Sequence, residues 1–194
     1  MANFELTDSP TLRAELIAAR TIPVVVFKLC RVLDLRVLSY DHPDPVALTE
    51  LAQSFYVQIY GGPDDTPFTV EEFAPPQGAF LVGYLDGRLA AMGGWRFSSE
   101  AIAGATRPAE IKRMFVREEL RGRGLAREIL TALEISAQEA GADWMILETG
   151  RPQVAAVAFY RACGYTAVDR FGHYANSPDA LHLGKPLSIG WPYG

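Results

Sequence analysis

Residues 110–126 read Glu-Ile-Lys-Arg-Met-Phe-Val-Arg-Glu-Glu-Leu-Arg-Gly-Arg-Gly-Leu-Ala, and this stretch decides the fold. Residues 111–116 mix β-branched, aromatic and long side chains and read as a strand. Gly122 and Gly124 make a tight loop that lets backbone approach closely, and from Leu125 the apolar residues recur at helical spacing. A strand, a glycine loop and a helix start make an anion site. The first amides of a helix lack internal partners, and the macrodipole concentrates about half a positive charge there. Two phosphate motifs fail on spacing. A dinucleotide fingerprint requires a small residue three positions beyond its second glycine, where Arg127 stands, and a Walker loop requires Gly-Lys-Ser/Thr, which the stretch lacks.

What fits is the pattern Arg/Gln-x-x-Gly-x-Gly/Ala, filled by Arg121, Gly124 and Ala126. On these residues the chain resembles the acyl-coenzyme-A-dependent N-acetyltransferases of the GNAT superfamily. Residues 150–165 carry a second motif of the same resemblance. Gln153, Ala156, Phe159, Tyr160, Gly164 and Tyr165 follow the family's Asn-x-x-Ala-x-x-(aromatic or aliphatic)-Tyr-x-x-x-Gly-Phe/Tyr, with Gln in place of the usual Asn. The resemblance implies acetyl-CoA as cosubstrate, its pyrophosphate held by Arg121, Gly122, Arg123, Gly124, Leu125 and Ala126. It implies further cofactor contacts from Gln153 and Ala156, and a backbone amide around Phe115 and Val116 facing the acetyl carbonyl beside a bulge.

The same resemblance implies two catalytic side chains. Tyr160 is the expected acid, since a phenol of pKa about 10 is protonated at neutral pH and can donate to a thiolate of pKa about 8.5. Glu110 stands eleven residues before Arg121, the offset at which the histone-type branch carries its general base. A base is needed because an alkyl amine of pKa about 10 is only about 0.1% neutral at pH 7, a penalty of roughly 4 kcal/mol. Transfer is then direct, to a small amine acceptor, without an acyl-enzyme. A non-catalytic acyl-CoA-binding regulatory module and a protein or peptide N-acetyltransferase are the alternatives on the same fold.

Composition agrees with such a site. The chain of 194 residues, 49% hydrophobic, can bury a core without staples. Its net charge of −5 argues against a nucleic-acid partner. The charge is unevenly spread: Lys112, Arg113, Arg117, Arg121, Arg123 and Arg127 against Glu118 and Glu119 give residues 111–127 a charge of +4, leaving −9 elsewhere. Cys30 and Cys163 stand far apart with no CxxC and no Cys/His cluster, as expected for reduced thiols in a cytoplasmic protein without a metal site. No basic leader opens the sequence. The apolar run over residues 22–38 is broken by Lys28, Arg31, Asp34 and Arg36, so neither export nor a membrane span is expected.

Along the chain, residues 1–33 are expected to be an N-terminal extension to an acetyltransferase domain over residues 34–194. A short helix from Ser9-Pro10 stops at Pro23, and the β-prone residues 24–27 allow an edge strand or a partner-contacting arm; a homodimer is a further expectation. A strand over 35–40 precedes a helix through Leu48, Leu51, Ala52, Phe55, Ile59 and Tyr60, closed by Gly61-Gly62-Pro63. Residues 78–85 and 89–97 flank the hairpin signal Asp86-Gly87, and Gly93-Gly94 predicts a bulge or a close approach. Residues 109–116 then pair antiparallel. The helix starting near Gly122 leads to a strand over 144–149, parallel to that of Glu110. A helix from Pro152 to Gly164, a strand to Phe171 and a closing strand over 180–187 complete the chain. The fold class is α/β (α+β): a mixed, mostly antiparallel central sheet flanked by helices. Tyr56, Tyr60, Trp95, Glu148 and Tyr174 are candidate acceptor contacts, and His182, between Leu181 and Leu183, is expected to face solvent.

Overall fold

A computed structural model describes residues 33–187; the readings of residues 1–32 lie outside it. Strands β1 (Asp34–Val37), β2 (Gly78–Leu85), β3 (Arg88–Phe97), β4 (Pro108–Val116), β5 (Trp144–Gly150), β6 (Thr166–Ala167) and β7 (Ala180–Pro186) form one sheet, ordered β1-β2-β3-β4-β5-β7-β6. The first four make an antiparallel meander, β5 lies parallel to β4, and β7 returns antiparallel between β5 and β6. Helices α1 (Pro43–Tyr60), α2 (Leu125–Glu139) and α3 (Val154–Ala162) cover the sheet.

Local chemistry sets the ends of these elements. His42 caps α1, its Nδ1 accepting from the amide of Asp44 at 3.2 Å, and Gly61 closes the helix at φ 76°. Asp86 and Gly87, both at positive φ, join β2 to β3 by the two-residue turn whose twist suits a hairpin. The last helix starts at Val154, after Gln153, and not at Pro152. The strand expected up to Phe171 is only Thr166–Ala167.

The two faces of the sheet are covered differently. On one, Ile129, Leu130, Leu133 and Ala137 of α2 pack on Trp95, Ala109, Ile111, Met145, Leu147 and Leu183, and α3 joins this layer through Ala156, Phe159 and Tyr160. On the other, Leu48 and Ala52 of α1 meet Tyr40, Phe73, Phe80, Val82, Met92 and Phe115. Trp95, expected as an acceptor contact, is 2% exposed beneath α2, and its indole donates to Ser136 Oγ at 3.0 Å. Strand alternation is the reason: Trp95 points to the α2 face, and its neighbour Arg96 points to the other.

The sheet opens where the site lies. Strands β4 and β5 pair only from Pro108↔Trp144 to Ile111↔Leu147. On β4 the pairs Met92↔Phe115 and Gly94↔Lys112 leave Gly93 opposite both Arg113 and Met114, and Arg113 takes φ 57°. This bulge kinks β4, as an inserted residue does, and the space beyond Ile111 is left to side chains from both faces.

Candidate active site

A cleft of about 370 Å³ fills that opening and passes through the sheet. Ala156 and Tyr160 enter it from the α2 side; Tyr56 and Tyr60 of α1, with residues 62–66 and 174–179 of two loops, enter from the opposite side. Residues 111–114 of β4 and 148–150 of β5 form its flanks.

Tyr160 is buried, and among the described residues its hydroxyl meets a weak acceptor, Met114 Sδ, at 3.5 Å. Burial pushes this phenol above its ordinary range, and Tyr56 and Cys163 add to the shift. It therefore keeps its proton throughout neutral pH. Across the cleft stands Glu148, its side chain 6% exposed. Its Oε2 accepts from Lys112 Nζ at 3.1 Å, and its Oε1 accepts from the amide of Tyr174 at 3.1 Å. His182 Nε2 lies 3.3 Å from the same Oε1, too oblique for a hydrogen bond.

His182 is thus not solvent-facing, as its neighbours in sequence predict, but buried at 5% exposure with the Phe171 ring 5.1 Å away. The alternation of Leu181, His182 and Leu183 reads as in-and-out only for a strand with one wet face. Strand β7 lies inside the sheet, and the Phe171 loop covers the second face.

Glu110 does not share the cleft with Tyr160. Its carboxylate is buried at 4% exposure, with Arg96 Nη2 at 3.2 Å and Lys112 Nζ at 2.6 Å, and Arg96 also pairs with Glu72. Burial works against the charge of Arg96, but Glu110 and Glu72 outweigh it and raise its pKa. Glu110 lines a second, polar cleft with Glu72, Gln77, Arg96 and His173, and Lys112 is the lining residue common to both clefts. The offset along β4 is silent about Arg96, which β3 sets directly opposite Glu110.

The other expected contacts divide. Tyr56 lines the cleft, and burial, with Asp64 adding, pushes its pKa up to about 12. Tyr60 lines it too, and its oxygen accepts from Gln153 Nε2 at 2.8 Å, so the amide expected to meet cofactor is engaged with α1. Tyr174 places its hydroxyl 2.9 Å from Asp64 Oδ1 and 3.0 Å from Asp65 Oδ1. Phe115 and Val116 both keep ladder partners on β3. The backbone released from the ladder lies two positions earlier, at Arg113 and Met114, which line the cleft.

The glycine loop follows β4 directly. Gly122 and Gly124 take φ 76° and 88°, and no atom lies within 4 Å of where a Cβ would stand at either. Glycine is required there by conformation, not by close packing, and the loop faces open space. Arg121 fastens it, donating from Nε to the carbonyl of Val116 at 3.2 Å and stacking its guanidinium 4.5 Å from the Phe55 ring centre. Leu125 is buried and Ala126 half-buried against the core, anchoring the first turn of α2. The exposed loop glycines that lead into α2, with Arg123 and Arg127 exposed beside them, suit a pyrophosphate. Among the described residues no cluster of His, Cys, Asp or Glu is suited to a metal, and no helix is long and apolar enough to cross a membrane.

Sequence reading missed four participants: Asp64, Lys112, Arg113 and His182. The Asp64-Asp65-Thr66 turn carried a usable signal, since Asp64 Oδ1 accepts from both the amide and the hydroxyl of Thr66. The others depend on cross-strand neighbours.

Comparison with known proteins agrees with this geometry. The family model for the GNAT acetyltransferases matches residues 46–165, which include both the glycine loop and Tyr160. An IAA acetyltransferase from Azospirillum brasilense is 31% identical over 142 residues, 73% of this chain and 90% of that protein. This chain belongs to the GNAT acetyltransferase family and is an acetyl-CoA-dependent acetyltransferase. Among solved structures, an acyl-CoA N-acyltransferase so described from Klebsiella pneumoniae superposes with a TM-score of 0.66 at 24% identity, covering 80% of this chain and 98% of that one. A PaiA N-acetyltransferase from Thermoplasma acidophilum, solved with coenzyme A, gives 0.59 at 16% identity, with coverages of 79% and 98%. At these identities the two structures speak for the fold.

Proposed function

We propose that residues 34–194 form a catalytic domain that transfers an acetyl group from acetyl-CoA directly to a primary amine, with Tyr160 as acid and Glu148, in place of Glu110, as base. The observation that carries this reading is a single cleft through the sheet with a buried, protonated phenol on one wall and a carboxylate on the other. Acetyl-CoA, when bound, supplies the thioester. Residues 121–126 hold its pyrophosphate on loop and helix amides, and Ala156 leaves room beside Tyr160.

The work of the chain's own groups follows from their surroundings. The Glu148 carboxylate accepts a proton from the ammonium form of the acceptor, and the neutral amine then attacks. Lys112 and the Tyr174 amide hold that carboxylate in the orientation in which it faces the cleft. The bulged backbone at Arg113 and Met114 offers N–H donors to the acyl oxygen as the C–N bond forms, an arrangement that works because it is fixed in advance. Tyr160 gives its proton to the sulfur as the C–S bond breaks, and the second proton of the attacking nitrogen, lost as the amide forms, restores the phenol. Thiol release from acetyl-CoA across a panel of amines tests the reading. Acetyl-CoA that raises the melting temperature while no amine releases thiol would identify a binding module instead.

A further inference from the structure

We infer that the acceptor is a compact amine without a carboxylate, and that peptide and protein chains are excluded from the cleft. The inference rests on the acetyl-transfer reading above and deepens it. Two struts cross the acceptor side. In the first, Gln153 Nε2 donates to the Tyr60 oxygen at 2.8 Å, tying the end of α1 to the start of α3. Tyr60 reaches over Gly150, where any side chain would collide with the phenol. In the second, the Tyr174 hydroxyl reaches Asp64 and Asp65, and His173 Nε2 stands 3.2 Å from Asp65 Oδ1.

These struts join anchored segments. Asp64 exchanges backbone hydrogen bonds with the Gln53 side chain at 2.8 and 2.9 Å, and its carboxylate pairs with Arg113 at 3.2 Å. Arg113 also donates to the Thr66 carbonyl at 3.4 Å, and the Tyr174 amide is tied to Glu148. A peptide laid across the mouth as an extended chain advances about 3.3 Å per residue and needs a groove open at both ends. Here the two loops between which it would lie are bonded to each other. The space of about 370 Å³ is at the low end for a small-molecule site, and the acetyl end of the donor must share it.

Charge narrows the class further. Asp64, Asp65, Glu148 and Asp179 line the cleft against Lys112 and Arg113, a balance of −2. Arg113 offsets Asp64 and Lys112 offsets Glu148, which leaves Asp65 and Asp179 at the exposed rim. A protonated amine is drawn in, and a carboxylate beside that amine meets its own sign. Alkyl and arylalkyl amines satisfy both limits.

The test is thiol release from acetyl-CoA by the full chain with matched acceptors: butylamine and phenylethylamine, their carboxylated counterparts norvaline and phenylalanine, and a tetrapeptide with a free N-terminus and a lysine. The expected kcat/KM for the two amines exceeds that of the amino acids and the peptide by at least about tenfold. A peptide or amino acid used as well as the amines overturns this inference and leaves acetyl transfer intact. No thiol with any acceptor overturns the transfer reading and this one with it. Removing the second strut in the H173A/Y174F variant raises the ratio of peptide to amine kcat/KM by about fivefold or more. Gln153→Ala, which opens the first strut without touching a charge, shifts the ratio the same way. An unchanged ratio in both variants overturns the struts as the gate.

Discussion

Glu110 and Glu148 occupy neighbouring strands, share one face of the sheet and touch the same Lys112, yet their surroundings differ. Glu148 sits past the last β4–β5 pair, where the strands have parted, and its carboxylate faces the cleft of Tyr160. Glu110 sits where the strands still pair, and Arg96 from β3 closes over it. Two carboxylates of equal chemistry thus acquire different surroundings from two residues' displacement along a sheet. One lines the cleft; the other is enclosed between Arg96 and Lys112.

Substitutions at and around the two carboxylates separate them. The largest expected effect belongs to the phenol across the cleft from Glu148: Tyr160→Phe lowers kcat by about 10²- to 10³-fold, the range for a lost general acid, with acetyl-CoA affinity nearly unchanged. Single-turnover rates check this, and a rate equal to wild type removes Tyr160 from the chemistry. Next, Glu148→Gln lowers kcat by about 10²-fold, whereas Glu110→Gln changes it by less than about tenfold. The latter variant instead loses about 1 to 2 kcal/mol of stability in urea unfolding, because Arg96 and Lys112 each lose one of their two carboxylate partners and keep Glu72 and Glu148. The opposite pattern would return the base to Glu110.

A smaller effect is expected at the glycine loop. Gly124→Ala places a Cβ at φ 88°, costing about 1 kcal/mol in a left-handed conformation, and weakens acetyl-CoA binding by about fivefold through the displaced amides. Calorimetric titration with coenzyme A reads it, and unchanged affinity would move the pyrophosphate elsewhere.

The smallest effect is an absence of titration. Desolvation opposes the charge of Asp64, but the Thr66 hydroxyl and Arg113 outweigh it; the Tyr174 hydroxyl and His173 act on Asp65, and both carboxyls are held below 3.8. Groups with lowered pKa contribute their stabilisation above the unfolded value and lose it only as pH falls through the lower folded one. The hydrogen bonds that these two carboxylates accept from Tyr174 therefore keep charged acceptors from pH 5 to 9. Tyr160, pushed above 10.0, remains an acid over the same range. A pH–rate profile with a falling alkaline limb below pH 9 that vanishes in Tyr160→Phe would contradict this.

Much of the site was legible before folding. Gly122, Gly124 and Ala126 announced the loop, and Tyr160 and Gln153 announced the second motif, because backbone conformation and helix spacing are local properties. Residues whose role depends on what lies across a strand pair were misplaced. Trp95 was expected at the acceptor and lies under α2; His182 was expected in water and lies buried against Glu148. The hydrogen bond from Gln153 to Tyr60 joins residues 93 positions apart, which no local spacing announces.

The sequence by itself determined the order of strands and helices, the loop that a phosphate can occupy and the family, since periodicity, turn chemistry and short motifs are written in consecutive residues. Only the tertiary structure decided which carboxylate reaches the cleft and how far that cleft is bridged. Those outcomes depend on the register of β3, β4, β5 and β7 and on the bulge at Arg113, which bring together side chains that no local spacing connects.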